Sequence, residues 1–280
     1  MKTVRLDWTG LHDLDRELMD RARLRLDQLT KPLGSLGRLE TLAQHLVGIT
    51  RTLHPSLRRK MIFTLAADHG VTAEGVSAYP QSVTAQMVMN FLRGGAAINV
   101  LARQVGAEVV VVDMGVATDL PPHPRLLVRK TGCGTQNIAR GPAMTSDEAS
   151  SLIRAGIELA EAEIAQGAEL IGTGDMGIGN TTPSSAIAAV MTGADVARVT
   201  GRGTGITEAA HAHKVAVVQQ ALAVNRPDPT DPLEVLAKVG GYEIAGLVGI
   251  MLASARAHRP LVLDGFISGA AALIAVGLEP

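Results

Sequence analysis

From residue 61 onward, short apolar runs alternate with longer helical stretches. The runs cover residues 61–66, 108–113, 169–171, 196–199 and 260–263. Helical patterns occupy 82–92, 96–105, 146–166, 207–224 and 242–257. Runs that are apolar on both faces belong in a sheet covered above and below. Runs joined by helices specify parallel strands. The expected fold class is therefore α/β: a three-layer α/β/α arrangement around a mainly parallel sheet. Hydrophobic residues make up 46% of the chain and aromatics only 2%, so Ala, Val, Leu, Ile and Met must build that core.

The first part of the chain reads differently. Leu11, Leu14, Leu18, Ala22, Leu26 and Leu29 recur at helical spacing among charged residues, the mark of an amphipathic helix. Thr30-Lys-Pro-Leu-Gly-Ser-Leu-Gly37 breaks it, and Leu39, Leu42, Leu46 and Ile49 begin a second helix. Residues 1–57 are thus expected to form a small helical annex, and residues 58–280 the α/β domain. The proline-rich stretch 225–232 reads as a rigid loop inside that domain.

Composition narrows the function. A formal net charge of −1, with few aromatics, gives no basic patch or stacking platform for nucleic acid. The N-terminal Met1-Lys-Thr-Val-Arg-Leu-Asp-Trp8 lacks an apolar signal core. No apolar run reaches membrane-spanning length. Cys133 is the single cysteine, so no internal disulfide is available, as suits a reducing compartment. The expectation is a cytoplasmic protein without a membrane or nucleic-acid partner. Cys133 sits in a Gly-flanked turn, with no nucleophile signature around it.

Each apolar run is followed by a glycine-bearing turn. In order these are Asp68-His-Gly70, Asp113-Met-Gly115, Gly174-Asp-Met-Gly177, Gly201-Arg-Gly-Thr-Gly205 and Asp264-Gly265. Any one of them is ordinary turn composition. Five together are expected to gather beyond the carboxyl ends of parallel strands, where such sheets bind ligands.

The richest is Gly172-Thr-Gly-Asp-Met-Gly-Ile-Gly-Asn-Thr-Thr-Pro183, read as strand, glycine loop and helix. Its glycines admit close ligand approach, and the helix start suits an anion. Asp175 is the one carboxylate inside it. A phosphate-friendly loop with a single acid suggests a phosphorylated sugar whose reacting carbon becomes cationic. Gly172-x-Gly174-x-x-Gly177, with Asp195 further on, also matches the dinucleotide fingerprint. In that fingerprint the helix opens inside the glycines. Here Ile178-Gly179-Asn180 delays it, with Thr181 or Thr182 as the expected N-cap and Pro183 the first helical residue.

Gly201 and Gly203 offer a second anion cradle, and Lys214 could reach it as a point charge. A solvated surface lysine is the plainer reading of Lys214. His69, His211 and His213 lack metal-site spacing, so neither metal nor cofactor is expected. Tyr79, at a loop–helix junction, and Met87, on the following helix, could accept a flat ring.

These segments resemble one family. Lys31-Pro-Leu-Gly-Ser-Leu-Gly-Arg-Leu-Glu40, Ala67-Asp-His-Gly-Val71, Glu74-Gly-Val-Ser-Ala-Tyr-Pro-Gln81, Asn137-Ile-Ala-Arg-Gly-Pro-Ala-Met144, Gly177-Ile-Gly-Asn-Thr-Thr-Pro183, Lys238-Val-Gly-Gly241 and Leu263-Asp-Gly-Phe266 occur in family order. They are similar to the nicotinate-nucleotide–dimethylbenzimidazole phosphoribosyltransferases. The resemblance implies a homodimeric transferase of cobalamin lower-ligand synthesis. It would move phosphoribose from nicotinate mononucleotide to 5,6-dimethylbenzimidazole, giving nicotinate and α-ribazole 5′-phosphate. By the same resemblance Asp175 lies beside the ribose and Asp264 at the rim of the cleft, as catalytic candidates. Gly177, Asn180 and Thr181 fall in the nucleotide loop. Gly201, Gly203 and Lys214 hold the phosphate, and Tyr79, Met87 and Met176 line the pocket for the incoming base.

The family continues past the segment matching 270–280, with a Gly-Glu-Gly-like motif whose glutamate is its usual base. That glutamate is expected to lie beyond Pro280. The 280 residues are therefore expected to bind nucleotide and turn over poorly, or to be a non-catalytic relative that binds nucleotide or base.

Overall fold

The structure, a computed structural model, describes residues 13–280. Leu11, in the first helical stripe, and the signal-core reading of residues 1–8 lie outside the described residues.

Five strands form one parallel sheet: β1 (Lys60–Ala67), β2 (Ala107–Gly115), β3 (Leu126–Val128), β4 (Leu170–Met176) and β5 (Leu261–Val262). Their order is β3-β2-β1-β4-β5. The chain runs outward from β1 through β2 and β3, then returns to place β4 on the far side of β1. The order thus reverses between β1 and β4, the place where open α/β sheets leave a crevice. In register, Leu65 lies opposite Asp175 and Ala66 opposite Met176. The turns after both strands therefore emerge side by side.

The helices are α1 (Arg16–Asp27), α2 (Arg38–Thr50), α3 (Val83–Arg93), α4 (Ala97–Val105), α5 (Ser146–Ala165), α6 (Thr181–Thr192), α7 (Val196–Val199), α8 (Glu208–Asn225), α9 (Pro232–Val239), α10 (Tyr242–Arg256) and α11 (Phe266–Leu278). Strand alternation sends successive side chains to opposite faces. Phe63 and Leu65 join the main core with Leu247 and Val248 of α10, while Ala66 joins a smaller core with Val88 and Phe91 of α3. The α/β/α layering follows. α10 is buried from Tyr242 to Ser254 because it lies between the sheet and α5. A helix apolar all round belongs in such a place. Gly249 makes the fit possible: a Cβ there would stand 1.9 Å from the Ile153 carbonyl oxygen of α5.

Two readings are corrected. Val196–Val199, expected as a strand, is a helical turn. The Asp195 carboxylate accepts the Ala197 N–H at 2.8 Å, and that local cap outweighs the β-preference of the flanking valines. Asp195 is thereby an N-cap, away from any dinucleotide role. The Gly201–Gly205 turn consequently follows a helix, so four of the five glycine turns sit at strand ends. The strand that takes the outer place is β3, three residues long. The second correction concerns Asp175, which lies on β4 itself; the strand runs through Gly172 and Gly174 to Met176.

In the N-terminal region, α1 and α2 pack on each other. Asp15 caps α1 by accepting the Leu18 N–H at 2.9 Å. Lys31 and Glu40, 2.7 Å apart, close the turn between the two helices. Among the described residues, no helix is long and apolar enough to cross a membrane.

Candidate active site

The site is built around the start of α6. Asn180 is the helix N-cap residue, one position earlier than expected, and Pro183 is the third helical residue. The Asn180 amide turns away from the helix and donates to Asp175 at 2.8 Å. The next residue, Thr181, accepts from the Lys214 ammonium at 2.6 Å. Two adjacent residues at one helix start thus hold a carboxylate on one side and an ammonium on the other.

Lys214 is not the surface lysine of the plain reading. It is 1% exposed, and among the described residues it makes no ion pair. Burial alone pulls its pKa down to about 8. Gly203 comes up against it; a Cβ there would lie 3.1 Å from the Thr181 hydroxyl and 3.3 Å from the Lys214 amine. Gly201 and Gly203 are exposed on the same turn. His211 fixes this turn's entry by donating from its Nε2 to the Thr200 carbonyl at 2.7 Å. His213 instead donates to the Glu74 carbonyl at 2.6 Å.

Asp175 is pushed up to about 7. Burial contributes most, the Glu243 charge next, with Asp264 adding and the Asn180 amide opposing. Asp264 itself is exposed, and its backbone N–H donates to Thr173 on β4 at 3.2 Å. Gly177 seals the loop over β1: a Cβ would stand 2.5 Å from the Ala67 carbonyl and 2.9 Å from the His69 ring nitrogen. Met176 and Met87 both pack on the smaller core beside α3. Tyr79 is 53% exposed in the turn before α3. Met87 and Met176 thus join one cluster, of which Tyr79 is not a member.

Not every acidic turn serves the rim. Asp113 accepts from the Gly115 and Val116 N–H groups at 2.9 and 2.8 Å, which makes it a turn brace. Asp68 accepts from the Ala117 N–H at 2.8 Å, and burial raises its pKa.

Sequence reading missed Glu243. It sits on α10 with 0% exposure and pairs with His69 across 2.8 Å. The available signal was a lone carboxylate inside an otherwise apolar helix, which burial forces to find a partner. A hollow of about 680 Å³ beside α10 and α11, lined by Met251, Leu263 and Val276 with Asp13 and Glu279, contains none of the candidate site residues.

The fold and site define a parallel α/β protein with a buried ammonium and a half-buried carboxylate at one switch point. Residues 11–280 match a family described as Phosphoribosyltransferase. The chain is 59% identical over 280 residues to the nicotinate-nucleotide–dimethylbenzimidazole phosphoribosyltransferase of Desulforudis audaxviator, covering 100% of this chain and 79% of that one. It is 56% identical over 270 residues to the protein of the same name from Geotalea uraniireducens, covering 96% and 77%. The crystal structure of CobT from Thermus thermophilus superposes with a TM-score of 0.91 at 51% identity, covering 94% of this chain and 79% of that one. The chain belongs to the nicotinate-nucleotide–dimethylbenzimidazole phosphoribosyltransferase family.

Proposed function

We propose that the protein transfers phosphoribose from nicotinate mononucleotide to 5,6-dimethylbenzimidazole, releasing nicotinate and α-ribazole 5′-phosphate for cobalamin synthesis. One observation carries the residue assignment: Asn180 and Thr181, adjacent at the start of α6, engage Asp175 and Lys214. A ribose 5′-phosphate has its anion at one end and its anomeric carbon at the other, and this arrangement suits both.

The chemistry follows from charge. The ring nitrogen of nicotinate mononucleotide is already cationic, so nicotinate leaves without a general acid. Departure builds oxocarbenium character on the ribose, which ionised Asp175 stabilises through space. Lys214, the Gly201–Gly205 turn and the α6 start anchor the phosphate and fix the anomeric carbon. The incoming benzimidazole attacks the opposite face, converting a β-nucleotide into an α-product. It must lose its N–H proton, so one general base is needed. Asp264, at the rim, and Asp175 are the candidates within the chain. Met87 and Met176 supply a polarisable apolar wall for the ring, and Tyr79 an aromatic face at its edge. Asn180 orients Asp175, and Gly177 keeps the loop low on β1.

The reading as a non-catalytic binding relative is not favoured, since the relatives are named as transferases. A cytosolic homodimer, with residues 1–57 as a helical annex to the α/β domain, completes the proposal on the family resemblance. Chromatography of a mixture of protein, nucleotide and base tests it through the appearance of α-ribazole phosphate. Lys214→Ala is expected to weaken nucleotide binding by about 2–3 kcal/mol, because the phosphate loses a charge-assisted partner. Calorimetry giving wild-type affinity would reject the Lys214 role.

A further inference from the structure

A buried ion pair lies under the site, and the transfer chemistry above leaves it unused. The His69 Nε2–H donates to Glu243 at 2.8 Å, with side-chain exposures of 1% and 0%. Burial opposes the charged imidazole, but Glu243, Asp68 and Asp175 together hold its pKa above the ordinary histidine value. The ring is wedged between two glycines. A Cβ on Gly177 would stand 2.9 Å from its Nε2, and one on Gly241 would stand 2.5 Å from its Cε1 and 2.8 Å from Glu243 Oε2. The pair therefore forms the floor beneath Gly177, two residues after Asp175.

Keeping this pair is expensive. His69 Nδ1, Glu243 Oε2 and Asp68 Oδ1 are all buried without a hydrogen-bond partner. Half-satisfied buried charges destabilise a fold relative to apolar packing. Three ionisable groups from other elements act on Asp175, namely Glu243 from α10, His69 after β1 and Asp264 after β5, while Asp68 acts on the pair itself. Lys214 lies further along, at Thr181.

We propose that His69 and Glu243 form a positioning pair for the transfer reaction, supporting the Gly177 main chain from below and setting a charge beneath the Asp175 carboxyl. The inference rests on the reading of Asp175 as the ribose-side carboxylate. Glu243→Gln keeps the shape and the hydrogen bond to His69 while removing the charge. Of the charged neighbours, Glu243 weighs most on Asp175 and His69 least. Asp175 should therefore hold its proton less tightly in the variant, even where His69 becomes neutral as well.

The test is the titration of Asp175, followed by carbon-13 NMR of its carboxyl and assigned with Asp175→Asn. In Glu243→Gln the midpoint is expected to fall by about one pH unit, a tenfold change in proton affinity. The acid limb of kcat/KM should move with it. A role confined to structure would lower kcat at every pH and leave both midpoints in place, which overturns the proposal. A second measurement needs only the wild type and Asp175→Asn. Linkage is reciprocal, so the nitrogen-15 shifts of the His69 ring should report the Asp175 titration and lose that step in Asp175→Asn. A flat His69 signal overturns the proposal even where Glu243→Gln does not fold. Absence of α-ribazole phosphate from the wild type would instead sink the functional reading, while the Asp175 titration still decides whether the pair acts on that carboxyl.

Discussion

At residue scale the candidate site consists of a buried ammonium and a half-buried carboxyl whose proton affinities have been drawn together. Burial lifts Asp175 to about 7 and lowers Lys214 to about 8. The proposed mechanism needs Asp175 ionised and Lys214 protonated. Expected kcat/KM therefore rises as pH passes about 7 and falls beyond about 8, since that ratio reports the free enzyme. Lys214→Arg should push the alkaline limb beyond about pH 9, because a guanidinium keeps its proton; an unmoved limb would mean another group titrates there. The same burial has a stability consequence. A carboxyl whose folded pKa is raised is harmless below its unfolded value and penalises the fold increasingly above it. The penalty grows from the ordinary value of 3.8 to about 7 and is complete above that. Asp175→Asn is expected to stabilise the protein at pH 8 by on the order of 2–4 kcal/mol. Denaturant melts at pH 8 and pH 4 check this, the gain vanishing at the lower pH. Asp175 and Lys214 were both visible in the sequence as candidates, one inside a glycine loop and one near another. Their depth was not: 33 residues separate Lys214 from Thr181, and only tertiary packing shows that they touch.

At element scale the fold depends on α10, the helix gripped between the sheet and α5. It carries Glu243 to the floor of the site, so its depth sets the site's geometry. Gly249 lets it settle, since a methyl group there would run into the Ile153 carbonyl at 1.9 Å. Gly249→Ala is expected to destabilise by at least about 3 kcal/mol, because both neighbours are backbone and neither can rotate away. Gly269→Ala on α11 is the matched control. Nothing lies within 4 Å of its added methyl, so relief of glycine's unfolded-state entropy should stabilise by about 0.5–1 kcal/mol. Urea midpoints of the two variants should move in opposite directions. β1 and β2 were legible because each is a central strand with a long apolar run, and β4 because its short run Leu170-Ile171 leads into a glycine loop and a helix. β3 was not, because Leu126–Val128 is too short to show a period. Val196–Val199 misled for a related reason: four residues rich in valine carry strand preference, yet a single aspartate cap is enough to wind them into a turn of helix.

At the scale of the molecule, one topological fact underlies the proposed site: the strand order reverses between β1 and β4. That reversal sets turn 68–70 beside 175–183, with the Glu243–His69 pair beneath Gly177, and turn 201–205 joins them where Gly203 meets Thr181 and Lys214. The parallel sheet was readable from the alternation of runs and helices, but the strand order was not, since apolar runs carry no label for their neighbours. The sequence could announce that glycine turns gather at strand ends; only the crossover decides which two strands flank the crevice. Ligand occupancy should therefore stabilise the molecule unevenly. A nucleotide held at about one hundred times its Kd adds roughly 2.7 kcal/mol to global stability. Amide hydrogen exchange with nicotinate mononucleotide should slow most in 68–70, 175–183 and 201–205, the segments whose local opening would break the cradle. Helix α4 leads into β2 from the amino end of the sheet, so residues 97–105 should gain the least. Protection concentrated at α4, with the crevice turns unchanged, would put the nucleotide at the opposite end of the sheet and remove the switch point from the mechanism.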